Sequence, residues 1–358
     1  MGAPPVLGER IYAITRYAEV RSLLSDRRCS ARRLPSAEEL GRGDTKAARP
    51  LELTINRMAA FSDPPRHDHV HPPLAHAFDP RVTRPLRDRF AAMAREHVAA
   101  VEAGVVDVTP ALVEPLMNAA VASMLRLTPE APPAIRELWV RAGVSADGED
   151  VGVAGDSPAL LAQIHAYLGA LVESARAHPA PDPLGVFVAE AGADPDLTDA
   201  DLIANLVFVV NSGHRALAMA FALFLHTLAS DPDRWAALRE QPASVPDAVE
   251  ELLGHDTSVL FTSRRVTEPI PLADRRLEPD HLAVLMLSEA NHDPGRAGHV
   301  SFGYGPHFCA GAAVSRMILR EALAAVVERA PRLELAEPPV WSTFRPNMRG
   351  CDELVVRW

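Results

Sequence analysis

The sequence predicts a mainly α fold with minor β, organised as a single domain over residues 1–358. Three observations carry that prediction. Ala, Leu and Val dominate long stretches punctuated by Pro and Gly, aromatic residues make up only 5% of the chain, and apolar residues recur at helical rather than alternating spacing. No internal repeat, and no linker long enough to divide two domains, interrupts the pattern.

Taken in order, Ile11, Ala13 and Ile14 predict a short strand within Arg10–Thr15, and Tyr17–Leu24 predicts a helix after it. Pro35–Arg49 is polar and reads as loop. Helical spacing returns over Arg81–Val101 and Leu112–Leu127, while Gly143–Ser157 collects Gly, Asp and Glu without periodicity and reads as a surface loop. The longest element runs from the capping pair Thr198 and Asp201 to about Ser230, before Asp231-Pro232. Its apolar halves, Leu202–Val210 and Ala216–Leu225, flank Asn211-Ser212-Gly213-His214-Arg215. Neither half reaches the ~20 apolar residues of a membrane span, so a buried core helix is expected and a membrane partner is not. Glycine inside a helix costs about 1 kcal/mol relative to Ala. Ser212-Gly213 therefore marks a place where another group can approach the backbone.

With 36 basic and 47 acidic residues the formal charge is −11, which disfavours nucleic acid or an anionic membrane held by a basic surface. Three scattered cysteines, Cys29, Cys309 and Cys351, exclude a disulfide scaffold or cysteine-rich zinc site and fit a reducing cytoplasm. The first thirty residues carry no pattern of a secretory signal. The alternating His67, His69, His71 and His76 lack a carboxylate shell in the local sequence and make a weak zinc signal.

The sharpest signal is Phe302-Gly303-Tyr304-Gly305-Pro306-His307-Phe308-Cys309-Ala310-Gly311, followed by a helical stretch, Ala312–Arg329. Two glycines and a proline make a tight turn, and a thiolate at the following helix N-terminus is stabilised by the macrodipole and free N–H groups. A lone cysteine beside a glycine turn is usually structural. The ten-residue pattern overturns that reading, because it resembles the haem-binding loop of cytochromes P450, Phe-Gly-x-Gly-x-His-x-Cys-x-Gly, at every fixed position. The resemblance extends through Asp63-Pro64-Pro65-Arg66-His67 and Pro181-Asp182-Pro183-Leu184 to Met348-Arg349-Gly350, and is that of a soluble bacterial member. It implies a triangular, mainly helical fold with haem b between the long helix and the helix after the cysteine. It also implies that Cys309 is the axial thiolate and metal ligand, with Phe302 packed near it and Gly311 closing the loop. His67, Arg264 and His307 match propionate-binding positions, and His71 stands where the family has an arginine.

Five departures from the family pattern shape the functional reading. On the long helix Gly213-His214 is in place, but Arg215 and Ala216 occupy the acid and alcohol positions whose pair supplies protons for oxygen scission. The arginine of the Glu-x-x-Arg motif, expected after Glu251, is Gly254, so Glu251 is either exposed or partnered by another group. Asn291-His292-Asp293-Pro294 reaches His299 through four residues only, a reduced meander. Pro72-Pro73 should break the helix that begins near His67, and the family's leading helix has no counterpart before the first strand.

The expected activity is a haem-thiolate oxidation tailoring a small, largely apolar molecule of specialised metabolism, with protons drawn from water, His214 or the substrate. Dioxygen with a ferredoxin as electron donor, or peroxide, would serve as oxidant source. Alternatives are a non-redox rearrangement or cyclisation, and a catalytically silent partner subunit of another biosynthetic enzyme. Arg215, if it lay over the haem, would suit a substrate carboxylate.

Overall fold

The computed structural model describes residues 6–8, 10–32, 53–141, 157–343 and 346–358. Pro35–Arg49 and nearly all of Gly143–Ser157 lie outside them. Among the described residues helices dominate, and strands gather into one five-stranded sheet and three smaller ones. In the large sheet the predicted strand, observed as Ile11–Ile14, pairs antiparallel with Val6–Gly8 on one side and parallel with Leu282–Met286 on the other. Leu282–Met286 pairs antiparallel with Phe261–Val266, which carries Arg264, and Cys29–Ser30 forms the far edge. This sheet packs a small core around Tyr17, Val20 and Leu285, beside the predicted helix Tyr17–Ser25. A second, larger core surrounds the long helix.

That helix spans Asp199–Ala229, about 46 Å of axis at 1.5 Å per residue. Its N-terminus is fixed as the sequence predicts. The Asp201 carboxylate accepts from the Thr198 backbone N–H at 2.8 Å and the Thr198 hydroxyl at 2.6 Å. It also receives the Arg57 guanidinium at 2.7 Å and that of Arg66. The Asp201 side chain is only 1% exposed. Burial raises its pKa, but the Thr198 hydrogen bonds and the two arginines outweigh burial and hold the carboxyl below its ordinary value. Asp201→Asn is expected to destabilise the apoprotein by about 2 kcal/mol at neutral pH, the scale of a lost charge-assisted hydrogen bond. A carboxyl with a depressed folded pKa contributes stability above its unfolded value of about 4 and loses it as pH falls through the folded value. Urea unfolding should therefore show the gap between wild type and Asn closing below about pH 4. A gap independent of pH would count against the assignment.

As a continuous element the long helix does meet the length and hydropathy of a membrane span, contrary to the argument from its two halves. It is nevertheless mostly buried inside the molecule, as a core helix is. Three other expectations need correction. Arg81–Val101 is three pieces, a short helix Pro80–Thr83, a 3-10 turn Arg84–Leu86 and a helix Arg87–Ala100, because Pro85 has no N–H to continue the ladder. Leu112–Leu127 starts in a π-helical turn, Thr109–Val113, then runs as Glu114–Met124 and ends short of Arg126, whose φ is +54°. Pro72-Pro73 does not break its helix, which runs unbroken over Arg66–Ala77. The two missing N–H groups are tolerated because Val70, Pro73, Leu74 and Ala77 are buried and two His–carboxylate bridges clamp this helix onto Pro183–Ala193.

Candidate functional site

The loop Phe302–Gly311 is set by backbone geometry. Gly303 and Gly305 take φ of +72° and +74°, a region in which a side chain is strained, and a Cβ on Gly305 would meet the Leu24 carbonyl oxygen at 2.9 Å. The turn closes with the Cys309 N–H donating to the Phe302 carbonyl at 3.0 Å, and the helix Ala312–Arg329 follows. Burial pushes the Cys309 thiol pKa up, while the Gly311 backbone N–H and the positive charge of Arg316 pull it down. Its side chain nevertheless keeps accessible surface.

The four histidines of Arg66–Ala77 sort onto different sides. His67 and His71, one turn apart, stack at 4.8 Å between ring centroids, and His67 lies 4.2 Å from His307 in the cysteine loop. Burial lowers the pKa of both His67 and His71, keeping them neutral. His69 and His76 face the neighbouring helix instead. The His69 Nδ1 meets Asp194 at 2.9 Å with Asp196 3.7 Å from its Nε2, and His76 meets Glu190 at 2.6 Å. The carboxylates absent from the local sequence are thus supplied by residues more than a hundred positions away. In the grouping of His69, Asp194 and Asp196, the imidazole nitrogens are already matched to the two acids.

Arg264 is 4% exposed, and burial lowers its pKa from the ordinary guanidinium value. Its guanidinium donates to the Ser263 carbonyl at 2.8 Å and to the Thr262 hydroxyl at 3.4 Å, both neutral acceptors. Close by in chemistry, the buried His67 Nε2 has no hydrogen-bond partner among the described residues. A buried cation and an orphaned imidazole nitrogen are costly unless an anion meets them.

The long helix is buried along most of its length, but Phe208, Ser212 and Ala216, spaced four apart on one face, remain partly exposed in its middle. Ala216 contributes only its carbonyl, 3.4 Å from the Ser258 hydroxyl. His214 lies about 200° around the axis from Ser212, on the far face. It is 1% exposed, and burial keeps it neutral. Its Nε2 meets the Glu114 carboxylate at 2.9 Å and its Nδ1 meets the Arg136 guanidinium, so the partners assign the proton to Nε2. Burial raises the Glu114 pKa, but His214, Arg136 and Arg215 reverse the shift and leave it ionised. Arg215 reaches Glu114 at 4.0 Å and the Ser342 hydroxyl at 3.5 Å, lining a cavity with Thr109, Asn118 and Met219. The guanidinium thus faces a protein carboxylate, one that Arg136 shares at 3.8 Å. A Cβ on Gly213 would meet only the Val121 side chain, at an ordinary 3.9 Å.

Glu251 is 68% exposed and pairs with Arg234 at 3.1 Å, so its lost arginine leaves no buried charge. Sequence reasoning missed Glu114, Arg136, Glu250 and Arg316, whose roles depend on long-range pairing that no local pattern signals.

No protein-family model matches the chain. Nocardicin C N-oxygenase of Nocardia uniformis subsp. tsuyamanensis is 30% identical over 373 residues, covering 98% of this chain and 90% of its own. Cytochrome P450 105C1 of a Streptomyces species is 30% identical over 366 residues, with 97% and 89% covered. The crystal structure of mycinamicin VIII C21 methyl hydroxylase from Micromonospora griseorubida superposes with a TM-score of 0.83 at 28% identity, covering 99% of this chain and 92% of that one. The chain belongs to the cytochrome P450 family.

This P450 is an oxidoreductase, and its family binds haem through a cysteine thiolate. The residues present suit that group. The buried Arg264 guanidinium, which donates to neutral acceptors, and the orphaned His67 nitrogen each offer what a haem propionate satisfies, and the Cys309 sulfur, favoured as a thiolate by the Gly311 N–H and Arg316, suits an iron ligand.

Proposed function

We propose that the whole chain acts in the cytoplasm as one haem-thiolate domain that oxidises a small, largely apolar molecule of specialised metabolism, without an acid–alcohol pair on its long helix. The observation that carries this reading is the pairing of Arg215 with Glu114 beside a featureless Ala216. An N-oxygenase and a methyl hydroxylase among the relatives support tailoring chemistry. Cys309 holds the iron, with the Gly311 N–H directed at its sulfur, and Phe302 packs beside it. His67, His71, Arg264 and His307 hold the propionates. When bound, haem supplies one-electron and oxygen chemistry, its electronics tuned by the axial thiolate. His214 is committed at both ring nitrogens, which leaves water and the substrate itself as proton sources. Oxidising equivalents come from dioxygen with a ferredoxin, or from peroxide.

Spectral titration of the haem-loaded protein tests the substrate class. Apolar ligands should shift the absorption spectrum at concentrations about tenfold below those needed for long-chain carboxylates, because the Glu114 carboxylate opposes an incoming acid at Arg215. Glu114→Gln, which removes that charge, should strengthen carboxylate binding. Tight carboxylate binding by wild type, abolished in Arg215→Ala, would overturn the apolar assignment.

A further inference from the structure

We propose that Glu250, rather than the motif residue Glu251, is the carboxylate that positions the cysteine loop. Both lie on the helix Val245–His255, whose buried face is Val245, Val249, Leu252, Leu253 and Gly254. Adjacent residues on a helix point about 100° apart. Packing decides which one turns inward. Glu251 faces solvent and Arg234. Glu250 receives the Arg316 Nε at 2.8 and 3.0 Å to its two oxygens and the Arg320 Nη2 at 2.9 Å, with the His299 Nε2 3.5 Å away.

Those partners lead to the sulfur by two routes. Arg316, in the helix after the loop, places its guanidinium 4.4 Å over the Phe302 ring, and the Phe302 carbonyl accepts from the Cys309 N–H. His299 stands 6.1 Å from the same ring, at the start of the segment entering the loop. The Ser301 hydroxyl in that segment donates to the Leu253 carbonyl at 2.7 Å, tying it to the helix that carries Glu250. Of the three groups on Glu250, Arg316 and His299 thus reach the Phe302 ring, one from the helix after the loop and one from the segment before it. The space an arginine at position 254 would enter is taken: a Cβ there would lie 3.3 Å from the His299 Cβ and 3.5 Å from the Arg296 Nη1. Loss of the motif arginine and inward use of Glu250 are two aspects of one packing arrangement. Glu250 is a positioning residue, acting through Arg316 and His299 on Phe302.

This inference rests on Cys309 as the haem ligand, and the experiment separates the two. The reduced, carbon monoxide-treated proteins are compared for their thiolate-type and thiol-type bands, and the apoproteins for thermal midpoint. Glu250→Gln should convert most of the thiolate-type band to the thiol type, Glu250→Asp should keep an intermediate share, and Glu251→Gln should retain the wild-type band. Wild type without a thiolate-type band would sink the ligand assignment. A wild-type band matched by Glu250→Gln would overturn the role of Glu250 alone. So would a Glu250→Gln that fails to fold beside a Glu250→Asp that folds with a fully thiolate-type band, since that pattern belongs to a residue of structure only.

Discussion

Replacing Cys309 by Ala is expected to abolish the thiolate-type absorption of the reduced, carbon monoxide-treated protein. The loop leaves no substitute. Cys29 and Cys351 are the other two thiols, and burial pushes their pKa values up to about 12 and about 11, so neither supplies a thiolate at neutral pH. All three thiols feel burial and a nearby arginine, but Cys309 also has the Gly311 backbone N–H directed at its sulfur. Ligation removes the remaining penalty, because a metal ion stabilises the deprotonated sulfur. Cys29→Ala and Cys351→Ala should leave the band in place. An unchanged spectrum in Cys309→Ala would remove the chemical basis of the proposed oxidation.

Arg264→Ala is expected to weaken haem retention and to leave the apoprotein at least as stable as wild type. The two effects have one cause. Without a propionate, the guanidinium donates to neutral acceptors and burial lowers its pKa by more than Cys29 and Asp63 raise it, so the apoprotein bears a cost for keeping it. With a propionate in place, a charge-assisted hydrogen bond contributes about 1.5–3 kcal/mol, or about 10- to 100-fold in affinity. Transfer of haem to excess apomyoglobin measures the loss, and denaturant unfolding of the apoproteins measures the gain. Equal haem retention, or a large loss of apoprotein stability, would assign Arg264 to the scaffold instead.

The cysteine loop was legible in the sequence because its chemistry is local. Ten contiguous residues contain the two positive-φ glycines, the turn proline, the thiol and the helix start, and each follows from short-range backbone physics. The same holds for the Thr198–Asp201 cap, where the partners are three positions apart. Helical periodicity found the long core helix but overlooked the break at Pro85 and overrated Pro72-Pro73. A proline's cost depends on what packs against the helix, and that partner, Pro183–Ala193, lies a hundred residues on.

By itself, then, the sequence determined the thiol, its loop, the mainly helical class and the absence of a side-chain acid–alcohol pair at Arg215 and Ala216. The tertiary structure alone decided which charges meet. Two neighbouring glutamates differ by 100° of helix rotation, and only the docking of a helix 66 residues away selects Glu250 for Arg316 and sends Glu251 to solvent. Arg215 is matched by Glu114 for the same reason, and His67 is separated from His69 by which neighbour each side of one helix meets. Identity and spacing along the chain set what each side chain can do, whereas burial and the nearest opposite charge, both long-range properties, set what it does.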